Sequence, residues 1–346
     1  MQNQSSKKPV VRLLSTGGTI ASTEEAAEGA SYSLSERADD IINSVPQLNY
    51  FVDIEFEEVT HKPSPHLTIE DYVAVANAAK KAESDGFDGV IITHGTSSVG
   101  ENAYFNDLVL DLDIPVVFVG AMRPADAIMA DGPSNLLTAA RMISCDEFHL
   151  TGDPSGVYVV LNETIHAARD VVKADTWAPE TFDSGPPGPI ARFTNAELQL
   201  YRDPGSYSAD LSDCNLEEVS EMTVPIVTTG AGVGAPLIEQ ATAGNYDVDG
   251  FAIQTTGRGR TSLAISEAVG DAIDAGIPVV SSSRCYYGPL EPQHDQGTVV
   301  AMDNLPVWKA RLYLLVVLTM TTDIEEIRDA VAETGYSKPV TAPSAL

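Results

Sequence analysis

The chain of 346 residues carries 50 acidic and 20 basic side chains, a formal charge of −30 with a pI near 4.3. A field of that sign repels nucleic acid and anionic lipid surfaces, so no nucleic acid and no membrane is expected as a partner. The hydrophobic share of 43% is ordinary for a globular protein, and the length exceeds one ordinary core, which points to two domains.

The first predicted strand starts at Val10 and runs into the turn Thr16-Gly17-Gly18-Thr19-Ile20-Ala21. An alternating segment, Asp53 to Val59, comes next. A helix begins near Thr68, with Glu70 and Asp71 in its first turn, where they suit the positive end of the dipole. The apolar run Gly89-Val90-Ile91-Ile92 ends in Thr93-His94-Gly95-Thr96-Ser97-Ser98, before a helix near Glu101 to Leu110. Pro115 to Gly120 reads as a strand, and Asp131-Gly132-Pro133-Ser134-Asn135 as the cap of a helix over Leu136 to Cys145. Val157 to Leu161 is a further strand.

From about Thr194 to Glu221 periodicity fades, and Asp203-Pro204-Gly205-Ser206 reads as a turn-rich linker. Strand signals resume at Val224 to Thr228, Gly250 to Gln254 and Pro278 to Ser281. Helical patterns fall near Leu263 to Ala275, Pro306 to Leu318 and Ile324 to Glu333. The alternation predicts an α/β fold: a larger N-terminal domain with a doubly wound, mostly parallel sheet over 8–200, a linker over 201–222, and a smaller C-terminal α/β domain over 223–346.

The cysteines Cys145, Cys214 and Cys285 lie far apart and lack metal-ligand spacing. Neither a disulfide framework nor a bound metal is expected, and a reducing interior fits. The first residues lack the apolar stretch of a leader, and no apolar run reaches the roughly 18 residues of a membrane span. A soluble, cytoplasmic protein is therefore expected. The acid is dispersed along a chain of ordinary apolar content, which suggests a surface adapted to a high-salt cytoplasm, as in a halophile.

The carboxyl ends of parallel strands form the ligand crevice of an open α/β sheet. Thr19 and Thr96 each stand on a glycine-containing turn after an apolar strand, which suggests nucleophilic chemistry. Glycine-rich turns also cradle phosphate, but neither Gly-Lys-Ser/Thr nor Gly-x-Gly-x-x-Gly is present here, so no nucleotide cofactor is expected. His94 reads as a core histidine holding its turn.

These residues resemble the bacterial-type L-asparaginase/glutaminase family. Thr-Gly-Gly-Thr-Ile-Ala near the N-terminus, Ile92-Thr93-His94-Gly95-Thr96 before a helix, Val119 to Pro124 with Ala130 to Leu136, and Ala168-Arg169-Asp170-Val171-Val172-Lys173 carry the likeness. It runs from about Val10 to Arg192 and continues more weakly through Val279 to Arg284 to the C-terminal helices. The resemblance implies an amidohydrolase acting on linear amides through a covalent acyl-enzyme, with a small-molecule amide substrate and no cofactor. Thr19 matches the nucleophile, Tyr32 the lid tyrosine that activates it, Thr96 the second catalytic threonine and Lys173 the lysine bonded to it. Ser64 matches the serine that binds the substrate α-carboxylate, with Gly18 and Gly95 lining the same crevice. Glu291 matches the acid supplied across a dimer interface, and the family implies a homo-oligomer, a dimer or tetramer. On the residues alone, Tyr32 also reads as an exposed loop tyrosine, Lys173 as a surface lysine and Ser64 as a turn hydroxyl between prolines.

Two positions depart from the family. An aspartate follows the second threonine there, pairing with the α-ammonium of the substrate and orienting the lysine; here that position is Ser97. No carboxylate is assigned to replace it, although Glu101 lies about one helical turn further on. The family's asparagine-bearing glycine loop is Thr256-Gly257-Arg258-Gly259-Arg260-Thr261-Ser262 here. Its arginines read as partners of surface carboxylates or of a carboxylate-rich substrate. The expected reaction is conversion of L-asparagine to L-aspartate and ammonia. The alternatives are a related amidase or lactamase for a substrate without a free α-amino group, or a catalytically impaired ligand-binding homologue.

Overall fold

The computed structural model describes residues 8–17, 45–290 and 299–332. Contacts divide the chain into two compact units, residues 1–208 and 209–346.

The first unit alternates strands and helices. In order they are β1 (Val10–Ser15), β2 (Asp53–Glu58), α1 (Ile69–Ser84), β3 (Gly89–Thr93), α2 (Val99–Val109), β4 (Val116–Val119), α3 (Gly132–Ile143) and β5 (Val157–Leu161). Five short strands follow: β6 (Thr164–Ala167), β7 (Val172–Lys173), β8 (Phe182–Asp183), β9 (Ala191–Thr194) and β10 (Glu197–Leu200). Eight of these strands form one sheet in the order β10-β9-β6-β5-β4-β3-β1-β2. Pairing is parallel from β2 to β5 and antiparallel from β5 to β10.

Strands β3, β4 and β5 are buried at every residue. Both of their faces are covered by helices, which is why they read as unbroken apolar runs and not as alternation. On one face Leu13, Ile91, Val117, Val119 and Tyr158 pack against Leu136, Ala139, Ala140 and Ile143 of α3. On the other face α1 and α2 lie side by side. Helix α1 starts with a capping box: Thr68 N–H donates to the Asp71 carboxylate at 2.8 Å.

Two local features differ from the sequence reading. The segment Asp131 to Asn135 is expected to cap a helix from Leu136, yet α3 already starts at Gly132; Asp131 stands at its N-cap, where its carboxylate makes no bond to the helix N–H groups and accepts from the preceding loop. Strand β10 falls where periodicity fades, because an edge strand with exposed residues carries no inside–outside alternation. Hairpins β5–β6 and β9–β10 close through Asn162-Glu163 and Asn195-Ala196, all four at positive φ. Two central residues in that region give a turn whose twist matches the flanking strands.

The second unit holds α4 (Leu216–Val219), β11 (Ile226–Thr228), α5 (Pro236–Thr242), β12 (Phe251–Thr255), α6 (Leu263–Asp274), β13 (Val279–Ser283), β14 (Val299–Ala301), α7 (Val307–Val317) and α8 (Ile324–Ala332). Its sheet is parallel, in the order β11-β12-β13-β14. Helices α5 and α6 pack with Phe251, Ile253 and Val279 into a second core. Helix α7 is buried nearly throughout, as its apolar run suggests. No helix among the described residues is long and apolar enough to cross a membrane.

Candidate active site

Strand order in the first sheet reverses at one place. The chain passes from β1 outward to β2, then returns to lay β3 along the opposite edge of β1. A reversal of this kind leaves the crevice beyond the carboxyl ends of the two central strands uncovered by crossovers, and ligands bind there. Ser15 and Thr93 are register partners at those ends, so the turns that follow both strands open into one crevice. They are also tied together. Thr93 O accepts the Thr16 N–H at 3.1 Å and the Thr16 hydroxyl at 2.9 Å. Gly17 then turns at φ 92°, a conformation that favours glycine.

His94 holds the second turn from within. It is fully buried, and burial pushes its pKa down to about 4. Its Nδ1 lies 2.8 Å from Gly95 O. A carbonyl only accepts, so Nδ1 carries the proton and Nε2 is free to accept from the Asn102 amide at 3.0 Å. His94 is thus a neutral structural residue, in line with the core-histidine reading.

Ser64 is delivered by the segment between β2 and α1. Lys62 donates its N–H to Thr16 O at 3.3 Å, and its ammonium bonds both oxygens of Asp71 at 2.8 Å. Ser98 precedes α2 but does not cap it; its hydroxyl donates to Ser64 O at 2.8 Å. Ser64 is buried, and it lies so near Gly95 that a Cβ there would stand 2.5 Å from Ser64 Oγ. Glycine is required at 95 by this close approach.

Thr96 is buried. Gly120, just past β4, faces it: a Cβ at 120 would stand 3.0 Å from Thr96 Cγ2 and 2.7 Å from His94 O. The loop after Gly120 is clipped in place by Asp131, which accepts the N–H groups of Met122 at 3.0 Å and Arg123 at 2.9 Å. Asn135 donates to Gly120 O at 2.9 Å.

Lys173 Nζ donates to Thr96 Oγ1 at 2.9 Å. Three features bring it there. Asp170, buried, is paired with Arg169 at 2.9 Å and with Arg202 at 2.6 Å, which fixes the turn before β7. Gly100 lets α2 approach closely, since a Cβ there would stand 3.3 Å from Val171 O. The β7–β8 ladder then orients the strand itself. Lys173 is half-buried, and burial lowers its pKa, opposed by the charge of Asp175.

The structure therefore gathers Ser64, Gly95, Thr96 and Lys173 at the carboxyl ends of β1 and β3, with Ser97 beside them and exposed. Gly18, Thr19, Tyr32 and Glu291 lie outside the described residues. In the second unit the loop with Arg258 and Arg260 is an exposed turn, closed by Thr256 N–H to Arg260 O at 2.8 Å. Sequence reasoning missed Asn102 and Asp175, and gave Gly120 and Asp131 no role in the site. The Lys-x-Asp spacing in an extended segment was a usable signal for Asp175. Among the described residues, no cluster of three or more His, Cys, Asp or Glu side chains could hold a metal ion.

Comparison with known proteins bears on the family. The family described as Asparaginase, N-terminal matches residues 10–206, and the Glutaminase/Asparaginase C-terminal domain matches residues 223–331. The chain is 32% identical to L-asparaginase 2 of Bacillus subtilis (strain 168), over 92% of this chain and 85% of that protein. It is 31% identical to L-asparaginase 2 of Escherichia coli (strain K12), over 92% of each. The crystal structure of a probable cytoplasmic L-asparaginase from Campylobacter jejuni superposes with a TM-score of 0.82 at 28% identity, covering 94% of this chain and 99% of that one. With both halves of the chain matched, the chain belongs to the asparaginase family of amidohydrolases.

Proposed function

We propose that the protein hydrolyses L-asparagine to L-aspartate and ammonia through an acyl-enzyme on Thr19. The observation that carries this reading is the 2.9 Å bond between Lys173 Nζ and Thr96 Oγ1. An amine whose pKa is lowered by burial is suited to take a proton from a hydroxyl or from a water held by it. In this reading Thr19 Oγ attacks the side-chain amide carbon while Tyr32, as its phenolate, takes the hydroxyl proton and hands it on to the leaving nitrogen. Collapse of the tetrahedral intermediate expels ammonia and leaves an ester. Water held at Thr96 and Lys173 then attacks the ester, releases aspartate and restores the Thr19 hydroxyl. Backbone N–H groups after Gly95 stabilise the oxyanion, and Ser64 binds the α-carboxylate. In a dimer or tetramer Glu291 serves a neighbouring subunit's site, while Arg258 and Arg260 partner surface carboxylates or a carboxylate-rich substrate.

Ser97 favours a second reading, an amide or lactam substrate without an α-ammonium group, because the position is exposed and uncharged. A hydrogen bond to a charged group contributes roughly 1.5–3 kcal/mol, so a carboxylate here would change amino-acid binding about ten-fold or more. The acidic surface is read as adapted to a cytoplasm of high salt.

A substrate panel in molar KCl tests both readings: asparagine, glutamine, des-amino ω-amides and lactams, followed by ammonia release or ring opening. Turnover of asparagine supports the first. Turnover of des-amino amides alone overturns it in favour of the second, and Ser97→Asp should then raise asparagine activity. No turnover of any member at any salt concentration overturns both. Light scattering in the same buffers reads the oligomeric state, and a monomer removes the role given to Glu291.

A further inference from the structure

Lys173 sits beside Thr96 with an uncharged serine at position 97, and an opposite charge near a half-buried ammonium favours its charged form. The surrounding elements offer few candidates. The turn after β3 contributes the Thr96 hydroxyl. Across the ladder, β8 places Phe182 opposite Lys173 and Asp183 opposite Val172, and the Asp183 carboxylate accepts the Gly185 N–H at 2.9 Å. Asp170 is held between Arg169 and Arg202. Glu101 lies in the first turn of α2. Asp175, an exposed carboxylate two residues beyond Lys173, is a charge that favours the Lys173 ammonium.

Asp175 is held by its own geometry. Its Oδ1 accepts the N–H groups of Trp177 at 2.7 Å and Ala178 at 2.9 Å. The ladder continues past Lys173 through Ala174 N–H to Thr181 O at 2.8 Å, so the segment from 173 to 175 is extended. Residues i and i+2 of an extended segment share a side, so with Ala174 still paired the Cβ atoms of Lys173 and Asp175 fall on one side.

We propose that Asp175 is a positioning residue for the amidase reaction: from two residues past the end of β7, its carboxylate supplies Lys173 with the counter-charge that Ser97 does not provide. The proposal rests on Lys173 serving the reaction as described above. The two groups do not form a direct ion pair, so the coupling is through space and screened by salt.

Asp175→Asn tests the charge alone, because the Asn side-chain oxygen still accepts from Trp177 and Ala178. The first readout is the pH dependence of Lys173 acylation by acetic anhydride, followed by mass spectrometry of its peptide in the full-length protein. Loss of the carboxylate should move the labelling midpoint to lower pH by about half a unit or more in dilute buffer, and by less in molar KCl. The second readout is the pH profile of kcat with asparagine, whose alkaline rise should move in the same direction while KM changes little. Adding Ser97→Asp to Asp175→Asn should return the labelling midpoint toward the wild-type value. An unchanged midpoint in Asp175→Asn overturns the proposal, as does an equal shift from Asp183→Asn. If labelling shifts but asparagine is not a substrate, Asp175 keeps its role and the substrate reading falls.

Discussion

Ser64 Oγ occupies the space into which any side chain at position 95 would project, 2.5 Å from where a Cβ would stand. The serine on the β2–α1 connection and the turn after β3 are thereby fitted to each other without a spare methyl group. Ser64 is also held at its carbonyl by Ser98, so it has little room to retreat. Gly95→Ala should displace Ser64 or tilt the Thr96 turn, lowering kcat/KM about a hundred-fold, with a stability loss of about 1–3 kcal/mol typical of overpacking. Steady-state kinetics with asparagine and urea unfolding check this; a variant with wild-type KM would show that Ser64 does not touch substrate.

Lys173→Met keeps the length and apolar stem of the side chain and removes the amine. Activity should fall about a hundred-fold or more, in the range of a lost general base, while folding is retained. In the wild type the neutral amine is the competent form. Activity should therefore rise with pH as Lys173 loses its proton, with a midpoint below the ordinary lysine value because burial disfavours the ammonium. A pH–rate profile of Lys173→Met lacking that rise, beside a wild-type profile that has it, is the expected pair of results.

His94 makes a prediction about stability. Its pKa is lowered from 6.5 to about 4 in the native state by burial. The unfolded chain therefore binds a proton that the native state refuses between those values. Stability should fall as pH drops from 6.5 toward 4, by about 3 kcal/mol from this group in total. Unfolding of wild type and His94→Gln at several pH values checks it. The variant is less stable at neutral pH, and the gap between the two should narrow on acidification.

Asp131→Ala should loosen the loop that holds Gly120 against Thr96, since it removes the acceptor of both Met122 and Arg123. The expected cost is about 1–3 kcal/mol from stranded N–H groups. Asp131→Asn retains one acceptor oxygen and should lie between. Tm by calorimetry and amide exchange at Met122 and Arg123 measure the effect.

Glycine turns after apolar strands made the sheet and the crevice legible in the sequence, whereas the Thr96–Lys173 pairing was legible only through the family resemblance. Antiparallel strands β9 and β10 were not legible, since at a sheet edge burial no longer selects alternate residues. Asn102 was missed because its role lies in one bond to His94 across the start of a helix, and asparagine there has no periodic mark. Asp175 was missed for a different reason. In a chain with 50 acids, one more aspartate near a lysine stands out only once the strand between them is known to be extended. The clip that Asp131 makes on Met122 and Arg123 was not legible, because it joins residues eight and nine apart across a loop with no periodic mark.

The two bonds that Thr93 O receives from Thr16 have a bearing on error as well as on shape. Two turns anchored separately would drift independently, and the gap between them would blur by the sum of both motions. Anchored on one oxygen, they share an origin, and most thermal displacement moves them together and leaves the gap unchanged. Chemistry between groups on neighbouring strands depends on that gap and not on where either turn lies in the molecule. A single carbonyl thus serves as the common reference from which the distances of the crevice are set.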